Sequence, residues 1–386
     1  MCTHRLCELC FTAAAVPVAH RPHTGSNSAV TPMKTSVVFT FPQRHRPNSA
    51  SSGGPEMGAG ASTEQQLPAG VTLSDATKAA LATLPDAAKK ELLEKFSALA
   101  ASPGADDEDE EGEELDLNSQ GLVELPKDPM SPKLTQLNLY ANKLKAIPDG
   151  VLGSLTKLKV LNCFNNQIKK LPGDIGGLAK LVEVNFAANK LMMTDDAKFT
   201  SWANVKVLNL YDNNLVRMGS LAPLVKLEEL RMSGNQLEEM PVLCADCPVT
   251  ILEIHKNRIA SVADDYFMCT KKLERLSLWG NQLTVLPSSL LTCSALVGVQ
   301  AHEMPLASLP SGAWPSDLET LFVQETKLTS LPPALGTLAK LKRVNVGKLA
   351  LDAPSAAIAE ALGKQIATMK GGIFWGVDGV KVDSQA

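Results

Sequence analysis

The sequence predicts an α/β repeat solenoid, a curved stack of about eleven short units whose strands lie side by side in one concave parallel sheet. Three observations point there. The phrase Leu137-Asn138-Leu139-Tyr140-Ala141-Asn142-Lys143-Leu144 returns as Leu161 to Ile168, Val184 to Leu191, Leu208 to Leu215, Leu230 to Leu237, Leu252 to Ile259 and Leu276 to Leu283. Degenerate copies at Leu115 to Leu122, Val299 to Leu306, Leu321 to Leu328 and Val344 to Leu351 bring the count to eleven, with steps of 22 to 24 residues. Finally, asparagine recurs in one fixed slot and a Leu-Pro step follows it, so each copy is one supersecondary unit that buries its apolar face only by stacking.

Each position has its own physical requirement. The LxL stretch alternates like a strand, with both apolar residues inward and the residues beside and between them outward. Asn142, Asn166, Asn189, Asn213, Asn235, Asn257 and Asn281 are expected to turn inward, where their amides satisfy loop backbone groups that stacking removes from water. The LxxLP step, as in Ile168-Lys169-Lys170-Leu171-Pro172 and Leu283-Thr284-Val285-Leu286-Pro287, places proline where the chain enters the convex side and needs no ladder donor. Leu152, Leu155 and Leu158 then complete the core. Gln120, Met304, Thr326 and Leu349 break the asparagine series, so the segment from Val299 to Leu331 is expected to be softer than Leu137 to Leu283.

The flanks divide as follows. Residues 1–70 form a leader of disorder-promoting composition; within 1–56, Arg5, Arg21, Lys34, Arg44 and Arg46 face only Glu8 and Glu56, a balance shared with organelle transit peptides. Met57-Gly58-Ala59-Gly60-Ala61-Ser62 matches the pattern for N-myristoylation, with Gly58 the acceptor if a mature chain starts there. Residues 71–104 have helical periodicity, 105–114 form an acidic linker, 115–353 are the repeats, and 354–386 are a capping helix, from Ser355 to Met369, and a tail.

Composition narrows the function. With 45% hydrophobic residues and a net charge of -4, the chain neither resembles a wholly disordered polymer nor advertises nucleic-acid binding. The eight cysteines are scattered, with one CxxC at Cys244 and Cys247, and fit reduced structural thiols better than a disulfide scaffold or zinc site. No apolar run reaches the ~18 residues of a transmembrane helix. No phosphate loop, metalloprotease or nucleophile-elbow motif occurs, so no catalytic residue, cofactor or metal site is expected. Aromatics are only 4% of the chain, and an aliphatic core is expected to leave several of them exposed.

The LxxLxLxxNxLxxLP pattern resembles the leucine-rich repeat superfamily over about 240 of the 386 residues. Its form with the internal Leu-Pro is similar to the intracellular Ras-group-related branch. Plant members of that branch carry Gly-Val-Tyr-Trp after the repeats, and Gly372-Ile373-Phe374-Trp375 resembles it at the first and last positions. The resemblance implies a horseshoe fold and a cytoplasmic, non-enzymatic scaffold or adaptor in intracellular signalling, with a small GTPase or a phosphatase as partner.

Binding is expected on the concave sheet. The slot after the second LxL leucine reads Tyr140, Phe164, Ala187, Tyr211, Ser233, His255, Trp279 and His302 in successive repeats. Aromatic side chains dominate protein interfaces. With Arg231 from the slot between the leucines, Tyr140, Phe164, Tyr211, His255, Trp279 and His302 are the candidate partner contacts. His255 and His302 lie two strands apart, about 10 Å, too far to share a metal. A second functional class places the protein by targeting: a lipid-anchored scaffold with reversible membrane contact through Gly58, or a regulatory subunit in a plastid or other organelle.

Overall fold

The computed structural model describes residues 112–125 and 130–383. The leader, Gly58 and the segment expected to be helical at 71–104 lie outside the described residues. Eleven strands follow the eleven repeats: β1 (Glu113–Asp116), β2 (Leu134–Asn138), β3 (Val160–Asn162), β4 (Glu183–Asn185), β5 (Val207–Asn209), β6 (Glu229–Arg231), β7 (Ile251–Glu253), β8 (Arg275–Ser277), β9 (Gly298–Gln300), β10 (Thr320–Phe322) and β11 (Arg343–Asn345). They pair in chain order within one sheet. The register matches the repeat, with Leu137 beside Leu161, Leu161 beside Val184 and Val184 beside Leu208. This is a leucine-rich-repeat horseshoe fold.

The apolar positions of the phrase build one continuous core. Leu161, Leu208, Leu230, Leu252 and Leu276 are fully buried, as are Leu144, Leu152, Leu155 and Leu158 from the turns behind them. Fully burying each such side chain contributes about 1.5 to 3 kcal/mol. Pro172, Pro287 and Pro332 each precede a short 3-10 helix on the convex side, at Gly173–Gly177, Ser288–Thr292 and Pro333–Thr337. The core is not purely aliphatic, contrary to the sequence expectation. Phe186, Phe199, Trp202 and Phe267 are among its largest fully buried side chains, and the Trp202 indole N–H donates to the Ile175 carbonyl at 3.1 Å.

The asparagine series holds neighbouring repeats together. Asn189 is typical: its Nδ2 donates to the carbonyls of Cys163 at 2.9 Å, Phe186 at 3.0 Å and Ala187 at 3.2 Å, while its Oδ1 accepts from the Ile168 N–H at 2.9 Å. Asn142, Asn166, Asn213, Asn235, Asn257 and Asn281 each reach back in the same way to the preceding repeat. One residue before each asparagine the backbone turns left-handed, with φ of 54° at Ala141, 57° at Asn165, 52° at Ala188 and 53° at Asp212. Gly234 and Gly280 occupy that place in two repeats, where glycine carries no steric penalty.

Both ends extend the sheet beyond the expected domain boundaries. Glu113 and Glu114, expected in the acidic linker, lie in β1. At the other end, helix α1 (Ala353–Ala367) starts two residues earlier than the expected Ser355, because Asp352 caps it by accepting from the Ser355 N–H at 2.9 Å. It buries Ser355, Ala359, Leu362 and Ile366. The chain then doubles back at Gly371 and Gly372, where a Cβ on Gly372 would collide with the Ile366 carbonyl. Ile373–Trp375, expected in the tail, is strand β12, parallel to β11, and β13 (Lys381–Asp383) closes the edge antiparallel to it. The Gly-Ile-Phe-Trp segment is therefore part of the sheet.

Candidate binding face

Three columns of side chains leave the concave sheet from each repeat. The residue before the first leucine supplies Gln136, Val160, Glu183, Val207, Glu229, Ile251 and Arg275, all partly exposed from β2 to β8. The residue between the leucines supplies a second asparagine series that sequence reasoning took for surface. Asn138, Asn162, Asn185 and Asn209 accept through Oδ1 from the backbone N–H two residues on, at 3.2, 3.1, 3.0 and 3.1 Å. Asn162 Nδ2 also donates to Asn138 Oδ1 at 3.1 Å, and Asn138 Nδ2 to Asp116 Oδ1 at 3.0 Å. These amides fix the turn that carries the third column. The signal for them was the asparagine two residues before each aromatic slot.

The third column holds most of the candidate contacts, and its two ends differ. Tyr140 and Phe164 stack with centroids 5.4 Å apart and planes 5° from parallel, both partly exposed. Tyr211 stands 37% exposed between the small side chains of Ala187 and Ser233. Further along, Trp279 is sandwiched by His255 at 4.6 Å and His302 at 5.0 Å, with Lys256 Nζ 4.6 Å from the indole centroid. This corrects the expectation for two residues. His302 is fully buried and Trp279 is 6% exposed, because rings stacked one repeat apart cover each other.

Electrostatics distinguish the middle of the sheet. Arg231 pairs with Glu229 at 2.7 Å and with Glu253 at 3.4 Å, and all three side chains remain partly exposed. Burial raises the Glu253 pKa, Arg231 and Arg275 pull it down, and Glu229 pushes it further up. Burial and the neighbouring Glu229 also raise that of Glu183. His255 Nδ1 sits 2.8 Å from Ser233 Oγ and 3.0 Å from Ser277 Oγ, in a ring that stays neutral. Burial, Lys256 and His302 push its pKa down to about 3.

Cys163, Cys244, Cys247 and Cys293 are buried free thiols, and burial raises the Cys247 pKa to about 12. Such thiols are inert packing groups. Among the described residues, no group of three or more His, Cys, Asp or Glu side chains is disposed to hold a metal ion. No helix among them is long and apolar enough to cross a membrane.

Comparison with known proteins agrees with this geometry. The family model described as leucine rich repeat matches residues 132–191 and 180–237, and a second model of the same description matches 272–293. Lumican of Gallus gallus is 27% identical over 222 residues, covering 56% of this chain and 50% of lumican. Osteomodulin of Rattus norvegicus is 25% identical, covering 51% of this chain and 47% of osteomodulin. A probable serine/threonine-protein kinase of Dictyostelium discoideum, pats1, is 28% identical over 136 residues, which is 4% of its length. The chain thus spans about half or less of these relatives. Among solved structures, a leucine-rich repeat protein of Leptospira interrogans superposes with a TM-score of 0.50 at 23% identity, over 65% of this chain and 70% of that one. The leucine-rich repeat domain of APL1B gives a TM-score of 0.52 at 19% identity, over 69% of this chain and 81% of that one. Repeat, register, asparagine ladder and family match together make the described solenoid a leucine-rich repeat domain.

Proposed function

We propose that this protein is a non-enzymatic scaffold or adaptor that holds a partner protein against the concave sheet between β2 and β7. The observation that carries this reading is the accessible surface there: the Tyr140–Phe164 stack and Tyr211 stand beside the Arg231, Glu229 and Glu253 cluster. Large rigid rings next to mixed charges suit selective protein recognition, the rings supplying affinity and the charges register. The lumicans, osteomodulin and the solved repeat proteins support a binding role by sharing the fold. The repeat's resemblance to the Ras-group-related branch directs the first screen to small GTPases and phosphatases in intracellular signalling, with the cytoplasm as the working location.

Affinity purification of the full chain with mass spectrometry tests this directly. Replacing Tyr140 and Tyr211 with Ala should release the captured partner, at about 1 to 2 kcal/mol per hot-spot residue, while the circular dichroism melt stays unchanged. Capture that survives the double substitution removes the concave site. Imaging fusions that begin at Met1 and at Met57 separates a cytoplasmic scaffold from a plastid-targeted or lipid-anchored one.

A further inference from the structure

Away from the concave sheet, the loops that follow β2 to β5 form one edge of the solenoid. Backbone hydrogen bonds stack them directly: Gln167 N–H donates to Leu144 O at 2.8 Å, Lys190 N–H to Ile168 O at 2.9 Å, and Val216 N–H to Met192 O at 3.0 Å. Met193 and Arg217 form a parallel bridge in the same stack. At about 4.8 Å per repeat, four loops make a strip about 15 Å long. Residues 141–146, 165–170, 188–193 and 212–217 bring Lys143, Lys145, Lys169, Lys170, Lys190 and Arg217 to this strip. Asp212 is the only acid in those four segments, so six cations against one acid leave a local charge of +5 on a chain whose net charge is -4.

Two properties make the strip more than a solvated charged face. All six cations are exposed, and none of them forms an ion pair with another described residue, whereas Lys206, Lys340, Lys342, Lys348 and Lys364 elsewhere each pair with an acid. Among the cations stand exposed apolar side chains: Met192 at 57%, Met193 at 65% and Val216 at 38%. The nearby Asp149, Asp174 and Asp196 keep their charge but are turned to backbone N–H groups of the convex turns, at Gly173, Gly150 and Ser220 respectively, and neither they nor the exposed Asp195 form an ion pair with the six cations. The strip ends where Glu238 and Glu239 replace the cations.

From this placement we propose that the edge formed by the loops after β2 to β5 docks on an anionic lipid surface, with the lysines and Arg217 meeting headgroups and Met192, Met193 and Val216 entering the interface. Charge complementarity selects the occupant. Flexible ammonium groups that ring unbranched apolar tips can hold headgroups while methionine side chains insert between them, and neither needs a shaped pocket. In a mature chain that starts at Gly58, the edge would supply the second signal, since a single acyl chain anchors only marginally and a basic patch completes such anchoring. The patch is assembled in space from lysines about one repeat apart.

Co-sedimentation of the full chain with phosphatidylcholine vesicles, with and without phosphatidylserine, tests the proposal. Binding should require phosphatidylserine and weaken as salt rises. Lys169→Gln with Lys170→Gln should lower partitioning about thirtyfold, at about fivefold per cation. Met192→Ser with Met193→Ser should weaken it further, whereas Tyr140→Ala with Tyr211→Ala should leave it unchanged, so the edge and the concave face fail independently. Circular dichroism confirms that these exposed substitutions leave the fold intact. The proposal is overturned by no vesicle binding, by equal binding to neutral vesicles, or by binding that survives the edge substitutions. Capture of a polyglutamate peptide without vesicle binding overturns it in favour of an acidic protein partner.

Discussion

Replacing Asn189 with Ala measures what one rung of the asparagine ladder contributes. Its side chain makes four hydrogen bonds of 2.9 to 3.2 Å, two within its own turn and two to the preceding repeat. The alanine variant strands the buried Ile168 N–H and removes a donor from the Cys163 carbonyl. A stranded buried group costs about 1 to 3 kcal/mol, and each of the three remaining bonds contributes about 1 kcal/mol net, so the expected loss is about 4 to 6 kcal/mol. Because each repeat is stabilised by its neighbours, the loss weakens the interface between two repeats and lowers the cooperativity of unfolding. Urea unfolding followed by circular dichroism reads both effects. Asn189→Asp should cost more, since a carboxylate would face three carbonyl oxygens. Thr326→Ala, where the same slot makes one bond of 2.9 Å to the Val323 carbonyl, should cost only about 1 kcal/mol. An Asn189→Ala loss below about 1 kcal/mol would refute the ladder argument and mean that water replaces the amide.

Other perturbations separate core, surface and titrating groups. Leu210→Ala, at a buried core position, should cost about 2 to 5 kcal/mol in the same urea melt, while the adjacent Tyr211→Ala leaves the midpoint in place. Hydrogen exchange should be faster from Val299 to Leu331 than from Leu137 to Leu283, because Met304 cannot hydrogen-bond as the asparagines do; equal protection removes that explanation. The His255 pKa is depressed, so its stabilising contribution is present above the ordinary value near 6.5 and is lost as pH falls toward 3. Wild type should therefore lose more stability than His255→Gln between pH 7 and pH 4; parallel curves would count against a buried neutral ring. Glu183 has the opposite sign, since its raised pKa makes the ionised form the disfavoured one in the fold. Glu183→Gln should be more stable than wild type at pH 7, and the gap should close as pH drops through the raised pKa toward the ordinary value of 4.5; a gap independent of pH would mean that charge is not its cause.

What was legible in the sequence is what the repeat constrains chemically. A buried strand position accepts only an apolar side chain, and a buried turn with unmet backbone groups needs an amide, so leucines and asparagines identified both without ambiguity. Exposure within the third column was not legible, because it depends on the size of the residue one repeat away. His302 is buried by Trp279, which is 23 positions earlier, while Tyr211 is exposed because Ala187 and Ser233 are small. Phe199 and Trp202 lie in a convex connection where the periodic pattern imposes no residue type, so their burial could not be read from it. Strand β12 follows a helix and carries neither the LxL phrase nor the asparagine slot, and it therefore resembled a tail. The basic edge has no linear signature, since a charge run is sought among neighbours in sequence and these cations are neighbours only after stacking.

The two accessible surfaces fall on the same repeats for a physical reason. From β8 to β10 the outward residues Ser277, Gln300, Thr320 and Phe322 are buried, while register and strand length remain those of β3 to β7. The difference is therefore in the side chains: Trp279 fills the third column, Arg343 Nε donates to Thr320 Oγ1 at 2.9 Å, and Trp375 packs edge-on against Phe322 at 5.8 Å. A partner bound there would have to displace contacts already made, and only the surplus over them would appear as affinity. In the repeats from β2 to β5, Asn162, Asn185 and Asn209 are buried in the same slot, but Gln136, Val160, Glu183 and Val207 and the rings of Tyr140, Phe164 and Tyr211 stay at least partly exposed, and the loop edge carries the unpaired cations. Because the concave columns and the loop edge leave each repeat from different segments, seating the edge on a lipid surface leaves the Tyr140, Phe164 and Tyr211 column accessible. Vesicle-bound protein should then capture the concave partner as well as free protein does, and competition between vesicles and partner would show that the two surfaces overlap.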